Sequence, residues 1–206
     1  QEAQKNIDES NLDYLPYLYR SRAHIVLGKD DPKSPHNDLA LQNSLKALEI
    51  EPNFVRTYYE VAQAYLNKKD YENGIGYFKK AAELNPEVGL SWWYLGATYF
   101  EIGETEKGLM ALGEAQKTGY DFTEQDLLRL VSFYIKQKDF LRIAELYEAL
   151  IAKKPNSPQY HASAASAYAQ FGEINKAVEH ARAAAKIDKT FEAEARAFVK
   201  SLGREL

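Results

Sequence analysis

The side chains able to do chemistry are few, and their spacing does not suit a reaction. Histidine occurs at His24, His36, His161 and His180. Two of these hold places in an apolar helical stripe, His36 falls in a predicted loop and His180 on a second helix, and none has the spacing of a zinc site. Carboxylates recur at helical spacing, as in Glu101 with Glu104 and Glu145 with Glu148, but such acids on an amphipathic helix usually form a solvated face. The chain has no cysteine, which excludes a disulfide framework, a thiolate metal site and a cysteine nucleophile. No set of nucleophile, base and orienting group can be assembled. The expectation is a chain without catalytic activity, metal or cofactor.

Composition narrows the partners. Of 206 residues, 45% are hydrophobic and 27% charged, which is ordinary for a folded domain. The 26 basic and 30 acidic side chains are spread along the length and leave a formal charge of -4. That gives no basic stripe to follow a phosphate backbone, so nucleic acid is not an expected partner. No run approaches the roughly 20 apolar residues that cross a bilayer, and no charged stretch leads into an apolar one as a signal peptide would. The chain opens at Gln1 and its single methionine is Met110, so a fragment or a processed product is expected.

What must position the remaining side chains is a repeat. Trp92, Leu95, Gly96 and Tyr99, followed by Gly108, Leu112 and Ala115, set the register. A shift of 34 residues back gives Tyr58, Val61, Ala62 and Tyr65, then Gly74, Phe78, Ala81 and Pro86. A shift of 35 forward gives Leu127, Leu130, Val131 and Tyr134, then Ile143, Tyr147, Leu150 and Pro155, with the additional residue in the Gly119 to Thr123 connection. A further 34 gives His161, Ala164, Ala165 and Tyr168, then Ala177, Ala181 and Ala184. The first unit is degenerate: Tyr17, Ser21, His24 and Gly28 with Ala40, Ala47 and Pro52. Tyr17 and Tyr58 are 41 residues apart, and residues 30–36 supply the surplus as a loop. Positions i, i+3, i+4 and i+7 make one helical stripe that a partner helix must cover. The prolines stop each hairpin.

This pattern resembles that of tetratricopeptide-repeat proteins, over about residues 14 to 190. The implied fold is all-α, a right-handed α-solenoid of about five helical hairpins plus a C-terminal capping helix. The units fall at about 14–53, 55–88, 89–122, 124–157 and 158–190, with residues 1–13 as a lead-in and 191–206 as the cap and tail. In the cap, Phe191, Ala195, Phe198 and Leu202 share one face.

The resemblance also implies a concave groove lined by the first helix of each hairpin. The positions are Leu18 and Arg22 in the first unit, Tyr59, Gln63 and Leu66 in the second, Trp93, Tyr94 and Phe100 in the third, and Leu128 and Arg129 in the fourth. The aromatic members would form an apolar patch for a partner, and Arg22 and Arg129 could fork onto a carboxylate. Trp92 is read as core, whereas Trp93 is read either as groove or as packing between repeats. Leu18, Arg22 and Gln63 stand where the family's chaperone-tail clamp needs Lys and Asn, so that adaptor role is not expected.

The expected function is protein or peptide binding in the groove, as part of a larger protein. A narrower likeness gives the alternative. Residues 14–23 and 195–203 are similar to the repeat tails of bacterial O-antigen ligase-like membrane proteins. That likeness implies a soluble tail outside the cytoplasm that binds or positions glycan, the aromatic faces stacking on sugar; without it the cytoplasm is the expected place.

Overall fold

The computed structural model describes residues 13–205. The lead-in residues 1–12 and Leu206 lie outside it. Among the described residues there are eleven α-helices, and they divide into two compact units, one ending at Asp121 and the next beginning at Phe122.

The first unit contains α1 (Leu15–Gly28), α2 (Pro35–Ile50), α3 (Val55–Asn67), α4 (Tyr71–Leu84), α5 (Gly89–Glu101) and α6 (Thr105–Lys117). These pack as hairpins α1/α2, α3/α4 and α5/α6, and each hairpin also lies against the next through α2/α3 and α4/α5. Two of these helices start where the sequence offers an acceptor for a first-turn amide: Ser34 caps α2 and Asp70 caps α4. They end at turns such as Gly103, whose φ of +83° is one that glycine adopts without strain.

The loop before α2 is shorter than the sequence suggests. Ser34 and Pro35 form a cap and first turn, so His36 lies inside α2 and not in a loop. The surplus residues are shared between this short connection and α2 itself, which runs for 16 residues where α4 has 14.

Phe78 is the centre of the first unit at 1% exposed, in a cluster with Ala62, Leu66, Leu95, Tyr99 and Ala111. It comes from α4, yet Leu95 and Tyr99 belong to α5. The core therefore joins one hairpin to the next and does not only close each hairpin on itself. Its ring stacks on Tyr94 at 5.3 Å and 14°, and lies 6.4 Å from that of Tyr59, a geometry that adds to simple area burial.

The second unit contains α7 (Glu124–Gln137), α8 (Phe140–Lys153), α9 (Pro158–Phe171), α10 (Ile174–Ile187) and α11 (Glu192–Ser201), with a short 3-10 turn at Lys189–Phe191. Thr123 and Asp126 form a reciprocal capping box at the start of α7. The core at the end of the unit is built from small residues: Ala165, Val178, Ala181, Ala185, Ala195 and Val199. Small side chains let helix axes come close, and α11 lays Ala195 and Val199 on α10 while Glu194, Arg196 and Lys200 stay exposed. That charged outer face suits a terminal cap.

Replacing Phe78 by alanine removes most of a fully covered ring from the joint between two hairpins. The expected loss is about 3–5 kcal/mol of unfolding free energy in urea titration. A loss below 1 kcal/mol would mean that the joint does not depend on this ring.

Candidate functional site

The groove positions fall into two classes in the first unit. Leu18, Leu66, Trp93 and Phe100 are interior, at 3%, 7%, 2% and 5% exposed. Trp93 stacks on Tyr120 at 6.5 Å, an arrangement of the packing kind. Its neighbour Trp92, read as core, is half-buried at the edge and donates its indole N–H to the Pro86 carbonyl at 2.9 Å. From that edge Trp92 packs against the core cluster, while Trp93 lies inside. In α5 every residue from Leu95 to Phe100 is buried, so the helix is covered nearly all round and a stripe cannot distinguish adjacent residues.

Tyr59 and Tyr94 are half-buried, 5.4 Å apart, and share Phe78 between them. The Tyr59 hydroxyl meets Ser91 Oγ at 2.7 Å. The aromatic group expected to form an open patch is therefore largely the joint between the hairpins. Gln63 donates to Asn67 Oδ1 at 3.1 Å, and Asn67 in turn donates to the Ile25 carbonyl at 2.8 Å and to Asn37 Oδ1 at 3.3 Å.

The polar centre of this face was not foreseen. Arg22 on α1 reaches across to α3, where its Nε lies 3.2 Å from Glu60 Oε1. Arg56, one turn before Glu60 on the same helix, adds a second guanidinium. Glu60 has only 13% of its side chain exposed, while Arg22 has 45%. Burial pushes the Glu60 carboxyl up to about 7, and the opposing attraction of Arg22 and Arg56 does not offset it. Near neutral pH the site holds two guanidinium groups around a carboxyl that is only partly ionised. Its signal in the sequence is faint, because Arg22 and Glu60 belong to different repeats and meet only when the hairpins stack.

In the second unit Leu128 is half-buried and Arg129 exposed. The histidines meet here in a way their spacing hides. His161 and His180 face each other across α9 and α10 with Nδ1 atoms 3.1 Å apart. His180 Nε2 lies 3.0 Å from Glu148 Oε1, which also accepts from the Tyr168 hydroxyl at 3.0 Å, and His161 Nε2 lies 3.1 Å from the Pro155 carbonyl. This ladder ties three helices together. His24 and His36 pair likewise at 3.0 Å in the first unit. Both pairs join the two helices of one hairpin. No group of three or more metal-ligating side chains forms among the described residues, and no helix there is long and apolar enough to cross a membrane.

The raised Glu60 carboxyl has a stability consequence with a definite sign. The folded state holds this proton more tightly than the unfolded chain, whose carboxyl is ordinary. Stability is therefore lost as pH rises from about 4.5 to about 7, and the cost is absent below that range. Glu60→Gln should leave stability at pH 4 unchanged and raise it at pH 8 by about 1–2 kcal/mol, a figure reduced for solvent screening. Equal stabilisation at both values in denaturant titrations would disprove the assignment.

Comparison with known proteins bears on the fold. A family profile described as Regulator of microtubule dynamics protein 1-3 matches residues 13–89, which hold α1 to α4. No curated protein matches the chain. Among solved structures, MamA aligns with a TM-score of 0.58 at 22% identity, covering 82% of this chain and 92% of its own. YrrB, described as a TPR protein with an unusual peptide-binding site, aligns with a TM-score of 0.58 at 20% identity over 95% of this chain and 97% of its own. A chain in the structure of Naa15/Naa10 bound to HypK-THB gives a TM-score of 0.67 at 16% identity, covering 91% of this chain but 29% of that one. Together with the register set by Trp92, Leu95, Gly96 and Tyr99, these likenesses establish that the chain has the tetratricopeptide-repeat fold.

Proposed function

We propose that this protein is a non-catalytic interaction module, and that its first unit holds an acidic segment of a partner protein at Arg22, Glu60 and Arg56. The observation that carries the reading is the imbalance at this point. Two guanidinium groups surround one carboxyl pushed up to about 7, so a ligand carboxylate meets a net positive site. Arg22 is open enough to be reached, and its guanidinium fork suits a carboxylate. Gln63 and the accessible edges of Tyr59 and Tyr94 extend the same face along α3 and α5. In the second unit Arg129, at the register position of Tyr94 and with Leu128 beside it, is proposed as a contact of its own.

The likeness to YrrB supports peptide binding in general, because that protein is described by its peptide-binding site. A glycan reading is less well supported. It needs open aromatic faces, but Trp93 is 2% exposed and Tyr94 is stacked on Phe78.

The test is titration of an array of short acidic peptides against the whole chain. A single-segment contact is expected to have a Kd on the order of micromolar at low salt. Arg22→Ala and Arg56→Ala should each weaken it by about tenfold, the scale of one charge-assisted contact. Binding should be tighter at pH 6 than at pH 8, because protonation of Glu60 releases its hold on the arginines, and Glu60→Gln should abolish that difference. Acidic peptides that bind with no dependence on Arg22, Arg56 or pH would refute the site.

A further inference from the structure

One helix face differs from its equivalents on α3 and α5. On α3, Thr57, Val61 and Ala64 are 0% exposed, and on α5 Ser91, Leu95 and Thr98 are at most 4% exposed. These residues occupy equal register positions, and their helices pack on the second helix of the hairpin before, α2 and α4 respectively. Flanking side chains reach the same neighbour. Asn67 bonds to Asn37, Lys68 pairs with Asp38, Tyr94 stacks on Phe78, and Glu101 accepts from Tyr71.

The equivalent positions on α1, Pro16, Arg20 and Ala23, are open, and so are the flanking ones. Tyr19, Val26 and Leu27 are 62%, 65% and 63% exposed, with the small Ala23 exposed at the centre of the stripe. An exposed apolar patch of this size on a helix face is a docking feature. The opposite behaviour is seen at α11, which turns charged residues outward.

The chemistry of the occupant follows from Arg20. It stands where α3 and α5 have Val61 and Leu95, and no carboxylate pairs with it among the described residues. A helix like α4, presenting Phe78 and Ile75, would bury that guanidinium without a partner, which is costly. A second copy packed about a two-fold axis would bring the two Arg20 side chains together. Beside the stripe lies an open cleft of about 730 Å3 lined by Tyr17, Arg20, His24, Lys46 and Glu49 among others. Within it Glu49 is taken up by Lys46 at 2.9 Å, which leaves Arg20 as the cation for an incoming acid.

We propose that this face of α1 is a second docking surface, beside the Arg22 site on the same helix. It takes an amphipathic helix of a partner protein that lays large apolar side chains over Ala23 and sets a carboxylate against Arg20. Recognition is of the helix-in-groove kind, with anchors one helical turn apart.

The test pans a phage-displayed library of helical peptides about as long as α1 against the whole chain. The apolar stripe is fixed in the library and the flanking positions are free to be acidic, basic or neutral. Acidic flanks should be enriched. A synthetic copy of the strongest helix should bind at least about tenfold more weakly to Tyr19→Asp and to Val26→Asp. Both substitutions are at exposed positions, and an unchanged thermal melt will show that the fold persists. Arg20→Glu should abolish binding, and exchanging the peptide's acid for lysine should restore it. Three results would overturn the proposal: selected helices indifferent to Tyr19 and Val26, no charge preference at the flank, or a dimer in sedimentation that Tyr19→Asp dissociates.

Discussion

A single helical hairpin cannot bury both faces of its own helices, and most of what this chain does structurally answers that constraint. The answer in the first unit is a shared aromatic core. Phe78 leaves its own hairpin to sit among Leu95, Tyr99 and Tyr94 of the next. Once that ring is placed, α3 and α5 have a fixed separation, Tyr59 comes within hydrogen-bonding reach of Ser91, and the first helices present one continuous face. Stacking at the joint before it, between the first and second hairpins, brings Arg22 to Glu60.

The electrostatics of that site follow from where the joint leaves Glu60. A carboxylate on an exposed helix would be an ordinary solvated acid. Held between hairpins it loses water, and two nearby arginines compensate only in part. Such an arrangement disfavours the charged form in the free protein and keeps the guanidinium groups available. The desolvation that costs stability is also what gives the face its positive character.

The hairpins were legible in the sequence because small and large residues alternate at fixed offsets, and Pro52, Pro86 and Pro155 mark the intervals. The start of α2 was not, because Asp30 to His36 is rich in turn residues, and Ser34 and Pro35 read equally as loop or as helix start. The groove was legible in part. Arg22 and Gln63 are on an accessible face, but Trp93 and Phe100 are interior. An amphipathic stripe shows which side of a helix is apolar only when another side is wet, and α5 is covered from Leu95 to Phe100 without a break. Glu60 and the His161–His180 ladder escaped because each depends on helices brought together by the fold, and neither has a local signature.

The alanine-built end of the second unit has a consequence for how its sequence can drift. Ala165, Ala181, Ala185 and Ala195 hold helices close with side chains that are already minimal. Truncation there has almost nothing to remove, while any enlargement must push two helix axes apart. In the first unit the large rings have volume to lose, and losing it is costly, as at Phe78. Over time this end of the second unit should accept change mainly on its outer charged faces, and its interior should stay poor in volume. The aromatic interior of the first unit leaves more room for exchange among large residues of similar shape.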